Sequence, residues 1–146
     1  MKASRHILAA IPLAAVVLAA GRPLSDAGLA AVASVLIDID HVGDYILCRG
    51  GWYGIRDFFR SCNEGRLNRL YLLLHAWEWI ILGMAASLYW ASWTAVMITL
   101  GMAWHLAWDQ VGNRSIVLPG FYWIIRRAGV GFDALRLYRD PSRIYA

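Results

Sequence analysis

The sequence predicts an all-α polytopic membrane protein: four transmembrane helices, then a short cytoplasmic or interfacial C-terminal segment. Three observations predict it. Hydrophobic residues make up 60% of the 146-residue chain and charged ones 16%, with a mean hydropathy of +0.48, which is too apolar for a soluble domain of this length. The apolar residues gather into four long stretches separated by turn-forming or charged residues, and a bilayer core asks for about 20 such residues per helix. The basic residues lie asymmetrically about those stretches, as membrane orientation requires.

The first span, at about 7–20, is short and Ala-rich. Lys2 and Arg5 precede it, a pattern shared with signal peptides, but His6 beside the run argues for a retained helix. Gly21-Arg22-Pro23 makes a turn, and Ser25-Asp26 offers an N-cap to the second span, about 27–48. Gly50-Gly51 ends that helix and opens a polar connection to Arg69. The third span covers about 70–90 and the fourth about 93–111, joined by a tight uncharged turn. Residues 112–146 form the interfacial C-terminal segment: 115–125 is apolar but broken by Pro119-Gly120, and 131–138 reads as a short surface helix. All of this composes a single membrane domain.

Every basic residue except Arg22 falls before the first span, between the second and third, or after the fourth. Both termini and the long connection are therefore expected in the cytoplasm of a bacterial-type inner (plasma) membrane. The same distribution explains the net charge of +4 by orientation and contact with the lipid bilayer, leaving no reason to invoke nucleic acid. Cys48 and Cys62 form no Cys-x-x-Cys pair, so neither a thiolate zinc site nor a disulfide framework is indicated.

Ionisable residues at membrane depth are costly, by roughly 2.5–3.5 kcal/mol each on insertion scales, yet this chain places many there. Asp38, Asp40, His41 and Asp44 lie in the second span, His75 and Glu78 in the third, His105 and Asp109 in the fourth, and His6 at the mouth of the first. Given the orientation, all fall in one layer near the cytoplasmic face. His75 and Glu78 are spaced i,i+3, and His105 and Asp109 i,i+4, so each pair shares a helix face. Imidazoles and carboxylates from facing helices are what a divalent metal needs in a bundle. An interhelical hydrogen-bond network and an ion pathway are the other readings. The pathway would spread its charges across the membrane, and the network would leave like charges opposed. The tryptophans and the small residues Gly83, Ser87 and Gly101 read as aromatic belt and helix-packing positions.

With these residues aligned, the chain resembles the YdjM-type family of membrane-bound metal-dependent hydrolases. The matching elements are Arg5-His6-Ile7-Leu8, Leu36-Ile37-Asp38-Ile39-Asp40-His41, Leu74-His75-Ala76 and Trp104-His105-Leu106-Ala107-Trp108-Asp109. That family is similar in ligand pattern to the zinc phospholipase C superfamily. The resemblance implies a zinc-type site of one or more ions, with His6, Asp40, His75, His105 and Asp109 as ligands. Asp38 and His41 would be further ligands or the groups that hold them. The chain departs from the family in having Ile37 where a proline is usual and in lacking one histidine ahead of His75, where Asp44 and Glu78 are the available substitutes. The implied activity is hydrolysis of a phosphoester at the headgroup layer, a lipid-linked phosphate being the natural substrate, with Glu78 or Asp44 accepting a proton. The alternatives are a non-catalytic metal-binding membrane protein, either an assembly subunit or a regulator, and a small ion transporter.

Overall fold

The computed structural model describes residues 3–140, with side chains from Leu8 onward. Among these residues the fold is all-helical. In chain order the helices are α1 (Ala3–Ala19), α2 (Leu24–Leu36), α3 (Asp40–Arg49), α4 (Ile55–Asn63), α5 (Trp77–Tyr89), α6 (Trp93–Gly112) and α7 (Ile124–Gly129). Single 3-10 turns occupy Ile37–Ile39 and Ala134–Arg136.

No helix among the described residues is long and apolar enough to cross a membrane, so the expected four-span architecture and the multi-pass inner-membrane placement are both overturned. The reason is visible at the ionisable residues. The expected second span breaks after Leu36 into a 3-10 turn and the ten-residue α3. In the expected third span, residues before Trp77 form no helix, leaving α5 with 13 residues, about 20 Å at 1.5 Å per residue. Helix α1 has 17 residues with Pro12 inside. Helix α6 reaches 20 residues but carries Thr94, Thr99, His105, Asp109 and Gln110. Much of the apolar surplus instead lies on outward faces, where Leu8, Ile11, Val16, Ile81, Leu82 and Leu88 are exposed.

The chain forms two compact units. One comprises the chain up to Ile37 together with Ala76–Gly112, and so contains α1, α2, α5 and α6. Its core is Leu13 and Val17 from α1, Ala27 and Ala30 from α2, and Met97 from α6. Two glycines set the helix spacing. A Cβ on Gly101 would lie 2.2 Å from the Ala30 carbonyl oxygen of α2, and one on Gly83 would lie 3.0 Å from Thr99 Oγ1, so α6 approaches both neighbours closely because these positions lack side chains. Trp104 Nε1 donates to the Ala9 carbonyl at 2.7 Å, and Arg22 reaches Asp26 at 2.6 Å while lying 4.3 Å over the Trp93 ring.

The other unit comprises Asp38–His75 and the chain from Asn113 onward. Helix α3 ends at Gly50, whose φ of 74° closes it in the left-handed conformation that glycine adopts without strain. The buried Tyr45 then donates to Asp57 Oδ2 at 2.6 Å and accepts from Tyr53 N–H, with Trp52 and Phe58 edge-on to its ring; this joins α3 to α4. The C-terminal segment is tied in by backbone pairing rather than by a surface helix. Isolated bridges link Arg69 with Asp133 and Val117 with Tyr138. Leu70 N–H donates to Phe132 O and Leu118 N–H to Leu137 O, both at 2.9 Å. The expected helix over 131–138 is thus reduced to the one turn at Ala134–Arg136.

Candidate metal centre

Two carboxylates one turn apart on α3, Asp40 and Asp44, organise the loop that carries His75. Asp40 Oδ2 accepts from the Leu74 amide at 2.9 Å and from His75 Nδ1 at 3.0 Å. Burial pushes the Asp40 carboxyl up. The His75 hydrogen bond and charge, then His41 and the Leu74 amide, outweigh it and hold the group below its usual range. An ionised Asp40 accepts only, so when His75 is neutral, as a metal ligand must be, its proton sits on Nδ1 and the Nε2 lone pair is presented.

That lone pair meets a carboxylate. His75 Nε2 lies 3.4 Å from Asp38 Oδ1, and His41 Nε2 lies 3.5 Å from the same oxygen. Both distances are long for N–H···O bonds, which cluster near 2.9–3.0 Å. They are close to the separation of roughly 3.4 Å between ligand atoms around a tetrahedral ion with bonds of about 2.0–2.1 Å. Asp40, His41 and His75 each present a ligand atom within 4.8 Å of the others. Asp40 Oδ1 is buried with no hydrogen-bond partner among the described residues, which is costly in an apolar interior. The residues therefore fit a divalent metal: buried His and Asp groupings that could bind one are present. The cluster is open on one side, since the Asp38 and His41 side chains keep 28% and 30% exposure while His75 keeps 1%.

Asp44 is 3% exposed and accepts from the Leu72 amide at 3.1 and 3.3 Å through its two oxygens. Burial, helped by the Asp40 charge and opposed by the backbone amides of Leu72 and Tyr71 and by the Arg127 charge, pushes its carboxyl up to about 6. Burial with the Asp44 and Asp38 charges likewise pushes the Cys62 thiol up to about 12, keeping it protonated at neutral pH.

In the first-described unit, His105 and Asp109 form a pair on α6. Both are buried, with His105 Nε2 3.5 Å from Asp109 Oδ2. His105 Nδ1 is 2.6 Å from the Ser34 carbonyl oxygen; a carbonyl only accepts, so this imidazole too carries its proton on Nδ1. Glu78 is in the first turn of α5 and belongs to no metal-holding group among the described residues. The His6 side chain lies outside the described residues.

Sequence reasoning singled out the side chains of this cluster but missed the backbone groups that hold them. The amides of Leu72 and Leu74 and the Ser34 carbonyl have no signature in residue type; their roles follow from packing 28 to 71 positions away in sequence.

No family model, no curated protein and no solved structure matches this chain.

Proposed function

We propose that the chain is a divalent-metal-dependent hydrolase acting on phosphoesters, with Asp38, His41 and His75 holding the metal and Asp40 orienting His75. The observation that carries this reading is Asp38 Oδ1 facing the lone-pair nitrogen of His75 at 3.4 Å, two electron-rich atoms that a cation between them reconciles. Two imidazoles and a carboxylate suit zinc among the divalent ions. The exposed side of the cluster supports catalysis over a purely structural ion, because closed structural sites surround their metal with protein whereas catalytic sites keep a position open.

A bound zinc supplies Lewis acidity and a water activated near neutral pH. The chain's own residues do the rest. Asp40 fixes the tautomer and orientation of His75 through Nδ1. His41, partly exposed, stands with Asp38 at the rim where a substrate phosphate would enter. The resemblance to the YdjM-type family agrees with this chemistry on the Asp38-Ile39-Asp40-His41 and His75 elements.

Elemental analysis of the purified protein, alongside His75→Ala, tests the metal. Stoichiometric zinc in the wild type and its loss in the variant are expected; a metal-free wild type would sink the reading. Hydrolysis of bis(p-nitrophenyl) phosphate with and without chelator tests the chemistry. Metal binding without chelator-sensitive turnover would leave a non-catalytic metal-binding protein.

A further inference from the structure

We propose that Asp44 is a positioning residue for the metal ligand His75, acting through the backbone of Leu72; this rests on the metal reading above. The loop leading to His75 bends at Leu72, whose φ is +41°, in the left-handed region that a leucine adopts only when its surroundings hold it there. The bend determines His75 directly, because the His75 amide donates to the Leu72 carbonyl at 3.0 Å. Two groups grip it. The Leu72 side chain is buried at 3% exposure, and the Leu72 amide donates to both oxygens of Asp44 at 3.1 and 3.3 Å.

Asp44 and Asp40 are therefore one device. They are spaced i,i+4 on α3 and share a face, and they take alternate amides of the same loop, Leu72 and Leu74. Asp40 adds the bond to the His75 ring, and Asp44 adds the bend that brings the ring there. The arrangement gives Asp44 a role in metal affinity with no contact to the metal. The acceptor atom and its distance from the α3 backbone matter for that role, and the negative charge does not.

Two conservative variants separate these properties. Asp44→Asn keeps the acceptor and the arm length and drops the charge. Asp44→Glu keeps the charge and lengthens the arm by one methylene. Cobalt(II) titration reads both affinity and, through its visible absorption, coordination geometry. Asp44→Asn is expected to bind within about threefold of wild type with an unchanged spectrum. Asp44→Glu is expected to lose roughly 10- to 100-fold, the usual cost of disturbing a group that orients a ligand, with an altered spectrum. Loss in Asp44→Asn, or wild-type binding in Asp44→Glu, overturns the proposal. A wild type that binds no cobalt overturns the metal reading itself, which distinguishes the two failures. A further check needs no variant: amide hydrogen exchange at Leu72 should be slowed like that of a helix-interior amide, and exchange at the rate of an exposed loop would also overturn the assignment.

Discussion

Asp40 Oδ2 lies 3.0 Å from His75 Nδ1, a contact across 35 residues of sequence, while the other oxygen of the same carboxyl is buried without a hydrogen-bond partner. One carboxylate thus orients an imidazole, whose other nitrogen faces Asp38. Asp40→Asn keeps an oxygen for the Leu74 amide and the His75 ring but sets an NH2 donor where the free oxygen stood. Zinc affinity is expected to fall roughly 10- to 100-fold, measured by competition with a chromophoric chelator, with the far-ultraviolet dichroism unchanged. Wild-type affinity in this variant would remove Asp40 from the centre.

The two α3 carboxylates should give opposite dependences of stability on pH in the metal-free protein. Asp44 has its folded pKa raised from 3.8 to about 6. Its contribution is fully present below pH 3.8 and is lost as pH rises through 6, because the folded state binds the proton more tightly there. The loss is on the order of 2–3 kcal/mol at 1.36 kcal/mol per unit. Asp40, whose folded pKa lies below 3.8, contributes stability present above that value and lost as pH falls through its folded pKa. The side-chain amide of the Asp44→Asn variant does not ionise, so comparing it with wild type by urea unfolding in chelator isolates the Asp44 part. The variant should gain on wild type as pH rises from about 3.8 to about 6, the interval between the unfolded and folded pKa values of Asp44, and a constant difference would contradict a raised pKa.

Gly101 faces α2 with no space for a side chain: a Cβ there would sit 2.2 Å from Ala30 O, 2.9 Å from Ala33 Cβ and 3.0 Å from Ser34 N. The first and third of these are backbone atoms, which cannot rotate away. Gly101→Ala must separate α2 from α6 and should cost about 1–3 kcal/mol, the range for overpacking a tight interior, read as a lowered unfolding midpoint. Gly28, whose Cβ would meet nothing within 4 Å, is the control: Gly28→Ala, in the interior of α2, should be neutral or stabilising.

Local punctuation made part of this fold legible. Gly21-Arg22-Pro23 does separate α1 from α2, Gly50 does close α3, and α6 begins at Trp93 as the turn before it suggests. The all-helical class follows from the same signals. Hydropathy misled at residues 37–39 and 70–76, where the apolar run continues in sequence while the α-helix does not. The loop over 70–76 is held by long-range bonds, from Leu72 and Leu74 to Asp44 and Asp40, and no local window contains both partners. The site was legible for a related reason. Carboxylates and histidines set among apolar residues are conspicuous by type, so Asp38, Asp40, His41 and His75 stand out from the sequence, but that Asp44 addresses a backbone amide depends on where the loop folds.

His105 does for α2 what a capping residue does elsewhere. Ser34 lies in the last turn of that helix, where carbonyls lack partners within the helix, and the His105 Nδ1 proton reaches its oxygen at 2.6 Å. The imidazole is 2% exposed, so water does not readily replace it. His105→Leu retains bulk and removes the donor, leaving a buried carbonyl unsatisfied at a cost of about 1–3 kcal/mol. His105→Gln, which keeps an N–H donor on a side chain of similar reach, should recover part of that loss. Urea unfolding of the two variants in chelator checks the order, because metal binding then contributes to neither. Equal stability of the Leu and Gln variants would show that His105 matters to α2 by volume alone, and the Ser34 bond would carry no weight in holding the helix end.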